Sequence, residues 1–205
     1  MKLIIDCQYF ATYIFYKKAI ESTHVVFDIY DHGRKMSYRN RCSIAGAEGP
    51  VLLSVPLDGG RDQRNALKNV KIKNLQNWQL QHWRTICSCY NRSPWFEFYR
   101  DSLEKIYAKK YECIMDLNLA TFQWSCQALG VTIPFEVTSD YQTHYNESEY
   151  LDWRNKLLPA TISQEFPNPV RYYQVFEERT GFIPHLSILD LLFCEGRNAL
   201  AILKK

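Results

Sequence analysis

The side chain best suited to acid–base chemistry in this sequence is His82, because an unperturbed imidazole titrates close to neutral pH. Trp78 lies four residues before it and Ile86 four residues after it, so the three share one face of a predicted helix. That face is aromatic and apolar, and the segment supplies no carboxylate to orient the ring. Two interpretations stay open: a general base, or a half-buried histidine with a backbone partner.

The run Tyr38-Arg39-Asn40-Arg41 is the second candidate group. In a strand, Arg39 and Arg41 would share one face, and Tyr38 and Asn40 the other. Two guanidinium groups on one face suit bidentate binding of a phosphate or carboxylate, and a pair of structural salt bridges is the alternative. Residues 34–73 carry nine Lys and Arg against three acidic residues, a charge of +6 in a chain of +3. This favours an anionic, phosphorylated partner, unless the segment is simply a solvated loop and hairpin.

Gln8 directly follows the first predicted strand, the position where open α/β sheets bind ligands, although a turn-stabilising role fits equally well. The spacing of His82, Cys87 and Cys89 matches neither a paired-cysteine site nor a zincin, so no metal site is predicted. Walker, dinucleotide and serine-elbow motifs are absent from the sequence, and no cofactor is evident. The seven scattered cysteines are typical of reduced, buried thiols.

These candidates need a fold to position them, and the hydrophobic patterns predict an α/β domain over residues 1–205. Its mixed, mostly parallel sheet is flanked by helices, with a hairpin near 38–56 and a polar excursion near 138–169. Gly130 should end the third central helix, and Pro134 should place the next strand at a sheet edge or bulge. The predicted elements are strands at 3–5, 24–30, 38–44, 51–55 and 131–137, and helices at 10–20, from Asn74 or Asn77 to Tyr90, from Asp101, from Asn118 and from Ser187. Ser187 and Asp190 have the spacing of a capping box, which makes Asp190 a helix-capping carboxylate in preference to a catalytic one.

The same patterns exclude several classes of protein. Asp6 interrupts the N-terminal apolar run too early for a signal peptide, and no stretch reaches the roughly 20 apolar residues of a membrane span. A net charge of +3 is too small to indicate a nucleic-acid-binding protein. We therefore expect a cytoplasmic protein, and its oligomeric state is left open.

Several short motifs follow one another along the chain: Gln8-Tyr9-Phe10, Tyr38-Arg39-Asn40-Arg41, Leu53-Ser54-Val55-Pro56, Trp78 with His82 and Tyr90, Pro94 with Phe96, Leu129-Gly130-Val131 and Leu186-Ser187-Ile188-Leu189-Asp190-Leu191. Their order and spacing resemble the WbqC-like family of bacterial proteins. The resemblance implies an association with surface-polysaccharide and O-antigen gene clusters, and some members are labelled as glycine or acyl-group transferases. Many members carry a proline after the first Gln, where this chain has Tyr9.

Together with the resemblance, these residues predict a transferase that moves an acyl or aminoacyl group onto a sugar carried on a nucleotide or lipid phosphate. Arg39 and Arg41 would hold the anion, His82 would act as the base, and Gln8 or Asn40 would orient the acceptor. The alternative is a non-catalytic binding or assembly protein that recognises a phosphorylated small molecule. We expect Gln8, Tyr38, Arg39, His82 and Tyr90 to converge on one concavity. The predicted substrate-binding set also includes Tyr9, Asn40, Arg41 and Trp78.

Overall fold

The computed structural model describes residues 1–32, 36–59, 65–75 and 77–205. Four cations of the basic segment, Arg34, Lys35, Arg61 and Arg64, lie outside these ranges. The helices and strands follow the chain in this order: β1 (Lys2–Asp6), α1 (Tyr13–Glu21), β2 (His24–Asp28), β3 (Arg41–Gly46), β4 (Gly49–Ser54), α2 (Trp78–Tyr90), α3 (Phe96–Ala108), α4 (Ile114–Leu129), β5 (Phe135–Val137), β6 (Tyr150–Asp152), α5 (Ile162–Glu165), α6 (Glu177–Thr180), α7 (Ile188–Glu195) and α8 (Ala199–Leu203).

A parallel sheet of order β5-β2-β1-β6 organises the described part of the chain, and β3 and β4 form a separate antiparallel hairpin. Leu3, Ile4 and Ile5 of β1 are completely buried, as expected for a central parallel strand covered on both faces. The predicted α/β class, with a mostly parallel sheet, flanking helices and a hairpin near 38–56, is confirmed. β5 lies at one edge of the sheet, in agreement with the position of Pro134 before it.

Two local departures from the predicted elements affect the candidate residues. Helix α1 begins at Tyr13 instead of Phe10, because Phe10 adopts a φ of 39° and lies outside the right-handed helical region. Residues 38–40 form a single 3-10 turn, and β3 begins only at Arg41. The alternation of a strand therefore does not place Arg39 and Arg41 on a common face.

The predicted caps in the middle of the chain are wrong in two places. Asp101 is an exposed residue within α3, and Asn118 is a fully buried residue within α4. The Asn118 side chain instead donates hydrogen bonds from Nδ2 to the carbonyl oxygens of Cys7 (3.0 Å) and Arg39 (2.8 Å). Gly130 ends α4 with a φ of 70°, as predicted.

The helix that follows Ser187 is confirmed, but its second capping residue is not. Ser187 Oγ accepts from the backbone N–H of Leu189, as an N-cap should. Asp190 is fully buried, and its carboxylate accepts hydrogen bonds from the hydroxyls of Tyr90 (2.6 Å) and Tyr172 (2.8 Å). Its role is therefore to join α7 to α2 and to the 166–176 connection.

Within the described residues, no helix combines the length and apolar character needed to cross a bilayer.

Candidate functional site

Three neighbouring strands of the sheet end on an aspartate. Asp6 is the last residue of β1, Asp28 of β2 and Asp152 of β6. The strands are parallel, and Asp6 is paired with Asp28 in register. The three carboxylates therefore lie together at the carboxyl-terminal edge of the sheet, where these strands finish. The carboxyl ends of the strands are where open α/β sheets bind ligands.

Arg154 connects two of these carboxylates. Its Nη1 donates to Asp28 Oδ2 (3.0 Å), and its Nη2 to Asp152 Oδ2 (2.7 Å). Burial raises the pKa of Asp152, but the hydrogen bonds and charge of Arg154 outweigh this and leave the pKa below its ordinary value. Asp28 is completely buried, and its Oδ1 accepts from the backbone N–H groups of Tyr30 and Asp31. This part of the edge is therefore a fixed wall in which two carboxylates share one guanidinium.

The edge contains a small inner cavity of about 20 Å³. An open outer cleft of about 380 Å³ shares Asp31 and Asn155 with it, so the two spaces adjoin. The outer cleft is also lined by Tyr141, Asp152 and Arg154. The inner cavity is lined by Asp6, Cys7, Gln8, Asp28, Asp31, Ser37, Tyr38, Arg39, Leu67, Asn155 and Leu157.

Three residues that line the inner cavity carry a buried polar atom without a hydrogen-bond partner in the described structure. These atoms are Asp6 Oδ1, Gln8 Oε1 and Arg39 Nε. An unsatisfied buried polar group costs about 1–3 kcal/mol, and native proteins contain few of them. Three such atoms on residues that line one cavity indicate a place that a polar group from outside the chain would complete.

Asp6 has the electrostatics of a proton acceptor at this position. Burial raises its pKa to about 7, and the charges of Asp31 and Asp28 act in the same direction. The backbone N–H of Asn155, which donates to Oδ2 at 2.8 Å, opposes this effect. A carboxyl group that titrates near neutral pH beside a cleft is suited to acid–base catalysis.

Arg39 places a cation beside this carboxyl. Its Nη2 donates to the carbonyl oxygen of Asn65 (3.0 Å), and its own carbonyl accepts from Asn118. Burial lowers the pKa of Arg39, and the charges of Asp31 and Asp6 oppose that shift. The guanidinium remains charged at any physiological pH, so it is suited to hold an anion.

His82 lies in a different environment. It is 6% exposed, its Nδ1 lies 3.1 Å from the hydroxyl of Tyr9, and the ring of Trp78 packs edge-on against it. Burial lowers its pKa to about 4, although a hydrogen bond with the backbone of Ser54 opposes this shift. The imidazole is therefore neutral at pH 7. The cavity lining drawn from the described residues does not include His82.

Tyr90, Asn40 and Arg41 make hydrogen bonds within the fold, whereas Trp78 packs against His82 and its buried Nε1 has no hydrogen-bond partner among the described residues. Tyr90 donates to Asp190 and accepts from the backbone N–H of Ala45 (2.9 Å). Asn40 Nδ2 donates to the carbonyl oxygen of Val55 (2.8 Å), and Arg41 Nη1 donates to Met36 Sδ (3.1 Å). Of the five residues expected to share one concavity, Gln8, Tyr38 and Arg39 line the inner cavity, whereas the described contacts of His82 and Tyr90 lie elsewhere.

The carboxylates at the strand ends and Arg154 were missed in the sequence analysis. The available signal was an acidic residue directly after an apolar run, in Leu3-Ile4-Ile5-Asp6 and again in Val25-Val26-Phe27-Asp28. No group of three or more His, Cys, Asp or Glu side chains in the described ranges is arranged to hold a metal ion.

Comparison with known proteins places the chain among related sequences. The model of the WbqC-like protein family matches residues 9–165. An uncharacterized protein of Mycobacterium tuberculosis, Rv1507c, is 26% identical over 197 residues, which cover 84% of this chain and 85% of that protein. No solved structure matches the chain. Since the family match extends over more than half of the sequence, the chain belongs to the WbqC-like protein family.

Proposed function

We propose that this protein transfers an acyl or aminoacyl group onto an acceptor that carries a phosphate, such as a nucleotide-linked or lipid-linked sugar used in surface-polysaccharide biosynthesis. The observation that carries the proposal is the set of unpartnered polar atoms of Asp6, Gln8 and Arg39 around the inner cavity. A base, an acceptor of hydrogen bonds and a cation are the groups that such a transfer needs around its nucleophile.

In this proposal Asp6 is the general base, Gln8 orients the acceptor and Arg39 holds its phosphate. The attacking nitrogen or oxygen forms a bond to the carbonyl carbon of an activated ester or thioester donor. Its proton passes to Asp6, and the leaving group departs with the electron pair of the broken bond and takes up a proton. Asp6 fits the role of base better than His82, because a pKa of about 7 makes it the stronger proton acceptor at neutral pH.

The wall formed by Asp28, Arg154 and Asp152 supports such a role through its rigidity. Arg154 also donates from Nη1 to the carbonyl oxygen of Gln142 (2.7 Å) and from Nη2 to that of Thr143 (3.1 Å). It therefore ties the connection before β6 to the ends of β2 and β6. Groups that are held before the substrate arrives need little reorganisation during the reaction.

A non-catalytic binding protein is the second candidate, and the surroundings of His82 favour it. The ring lies among Tyr9, Trp78 and Tyr107, and its pKa of about 4 makes it a weak base. If the protein has no other base than this buried histidine, it can bind a ligand but cannot promote the transfer of a group. The same cavity would then bind the phosphorylated molecule without transferring a group.

A ligand screen followed by a transfer assay separates the two candidates. Thermal shift against nucleotide sugars, CoA thioesters and free amino acids identifies ligands, and mass spectrometry then detects acylated acceptor. If Asp6 is the base, Asp6→Asn should keep ligand affinity within about tenfold while turnover falls by roughly 10²–10⁴. The exposed Asp101→Asn is the matched control. A protein that binds phosphorylated sugars but transfers nothing from any donor would be a binding protein.

A further inference from the structure

The inner cavity has a defined hydrogen-bonding requirement. The side chain of Gln8 is 95% buried, and its Oε1 lacks a partner among the described residues. Asp6 Oδ2 is taken by the N–H of Asn155, so Oδ1 is the oxygen left to accept. Asp28 offers nothing further, because Arg154 occupies its Oδ2 and three donors surround its Oδ1. The residues that line the cavity therefore hold two unpartnered acceptors, Asp6 Oδ1 and Gln8 Oε1, and one unpartnered donor, Arg39 Nε.

The volume of the cavity and the number of its unpartnered acceptors limit which chemical groups fit there. About 20 Å³ is enough for one or two atoms of water size. When Asp6 is ionised, a group that bonds to both its Oδ1 and the Oε1 of Gln8 must supply two hydrogens. A hydroxyl supplies one hydrogen, whereas a primary ammonium supplies three and also balances the carboxylate charge.

We propose that the inner cavity binds the primary ammonium group of the acceptor, so that the nucleophile of this protein is an amine and not a hydroxyl. This inference rests on the proposed function and names its acceptor. Asp6 takes one proton from the ammonium and leaves a neutral amine. The amine nitrogen then forms its bond to the acyl carbon, and its second proton goes to the departing group of the ester or thioester. Arg39 binds the phosphate of the same molecule.

Two probes that differ in one group test this directly. 2-Aminoethyl phosphate carries an ammonium group two carbons from a phosphate, and 2-hydroxyethyl phosphate replaces that group with a hydroxyl. Calorimetry or ligand-observed NMR at pH 8 should find the amine bound at least about tenfold more tightly, a difference of about 1.4 kcal/mol. The comparison uses the wild-type protein, so it does not depend on any variant folding.

Variants then assign the preference to the inner cavity. Gln8→Leu and Asp6→Asn should each reduce the ratio of the two affinities to about threefold or less, because each removes one of the two acceptors. Gln123→Leu and Asp101→Asn, at exposed positions on α4 and α3, should leave the ratio unchanged. Thermal melts establish that each variant is folded.

The outcomes separate this inference from the proposed function. Equal affinity for the two probes would mean that the cavity holds only water, and would overturn the amine inference while leaving a phosphate site intact. An amine preference that persists in both site variants would place the ammonium elsewhere and also overturn it. Binding of neither probe would remove the phosphate site at Arg39, and with it the proposed function.

Discussion

The raised pKa of Asp6 leads to a prediction about folding stability that requires no knowledge of the substrate. Its pKa rises from 3.8 to about 7 on folding, with burial as the main cause. Between these two values the folded protein binds more protons than the unfolded chain. The contribution of Asp6 to the free energy of unfolding is therefore greatest below pH 4, and it decreases as the pH rises through 7.

The size of the effect follows from the two pKa values. At about 1.4 kcal/mol for each tenfold change, the difference between 3.8 and about 7 corresponds to about 4 kcal/mol once Asp6 is fully ionised. Asp6→Asn removes this cost, because the amide is neutral at every pH. Its oxygen can still accept from the N–H of Asn155, while its NH₂ takes the place of the unpartnered Oδ1. Relative to wild type, the variant should become more stable by about 2–3 kcal/mol between pH 5 and pH 8.

Urea denaturation of both proteins at half-unit steps from pH 5 to pH 8.5 measures this difference. The rise should approach about 1.4 kcal/mol per pH unit and level off above pH 7.5. Asp101→Asn, in which an exposed aspartate on α3 is changed, should show no such rise. A wild-type-to-variant difference that is constant across the range would mean that Asp6 ionises as it does in the unfolded chain, and the argument for Asp6 as the base would lose its support.

Three further substitutions examine the remaining parts of the site. If Asp6 is the base, His82→Gln should change turnover by less than about tenfold in the transfer assay; a fall of 10²–10⁴ at constant affinity would assign the base to His82 instead. Arg39→Lys should weaken phosphate binding at least about tenfold in calorimetry with little change in melting temperature, since an ammonium cannot reproduce the guanidinium fork. Arg154→Met should destabilise the protein by about 3–5 kcal/mol in urea by leaving Asp28 buried and unpaired, and adding Asp28→Asn should recover part of this loss.

The parallel core of the fold was predictable because its signals are local. Leu3-Ile4-Ile5 and the β-branched run after His24 predict two buried strands, and the helical segment between them makes the pair parallel. β6 was not predictable on the same basis. It has only three partly buried residues, Tyr150–Asp152, within a polar segment, and its pairing with β1 depends on contacts almost 150 positions apart.

In the middle of the chain, the helical spacing of apolar residues alone did not predict where one helix ends and the next begins. Apolar residues from Leu103 to Ile114 continue at helical intervals, which predicted one helix beginning at Asp101. In the structure α3 ends at Ala108, and Cys113 forms a β-bridge with Lys71 before α4 begins at Ile114. A backbone pairing with a distant segment interrupts the predicted helix. Residues 109–113, between α3 and α4, contain no Gly or Pro from which the interruption could have been predicted.

The site was only partly predictable for a related reason. Gln8 was identified by its position after the first strand, and Arg39 as one of two guanidinium groups in a predicted strand that proved to be a turn; both line the inner cavity. His82 was chosen because free imidazole titrates near pH 7, but burial moves its pKa to about 4. Asp6 was noted only as the residue that interrupts the N-terminal apolar run, and burial moves its pKa to about 7. Burial reverses the order of the two candidates, and burial is not visible in the spacing of residues.

Asp6 and Asp28 show how identical residues in register acquire different roles. They end adjacent parallel strands, and each faces the same cavity. Arg154 and backbone donors surround the carboxylate of Asp28, so its charge is compensated and its oxygens are occupied. Asp6 receives one backbone hydrogen bond and no ion pair within the described residues, so its remaining oxygen is free to bind and to exchange a proton. Different environments can give two like carboxyl groups a structural and a reactive role, and on that basis we propose Asp6, and not Asp28, as the reactive carboxyl.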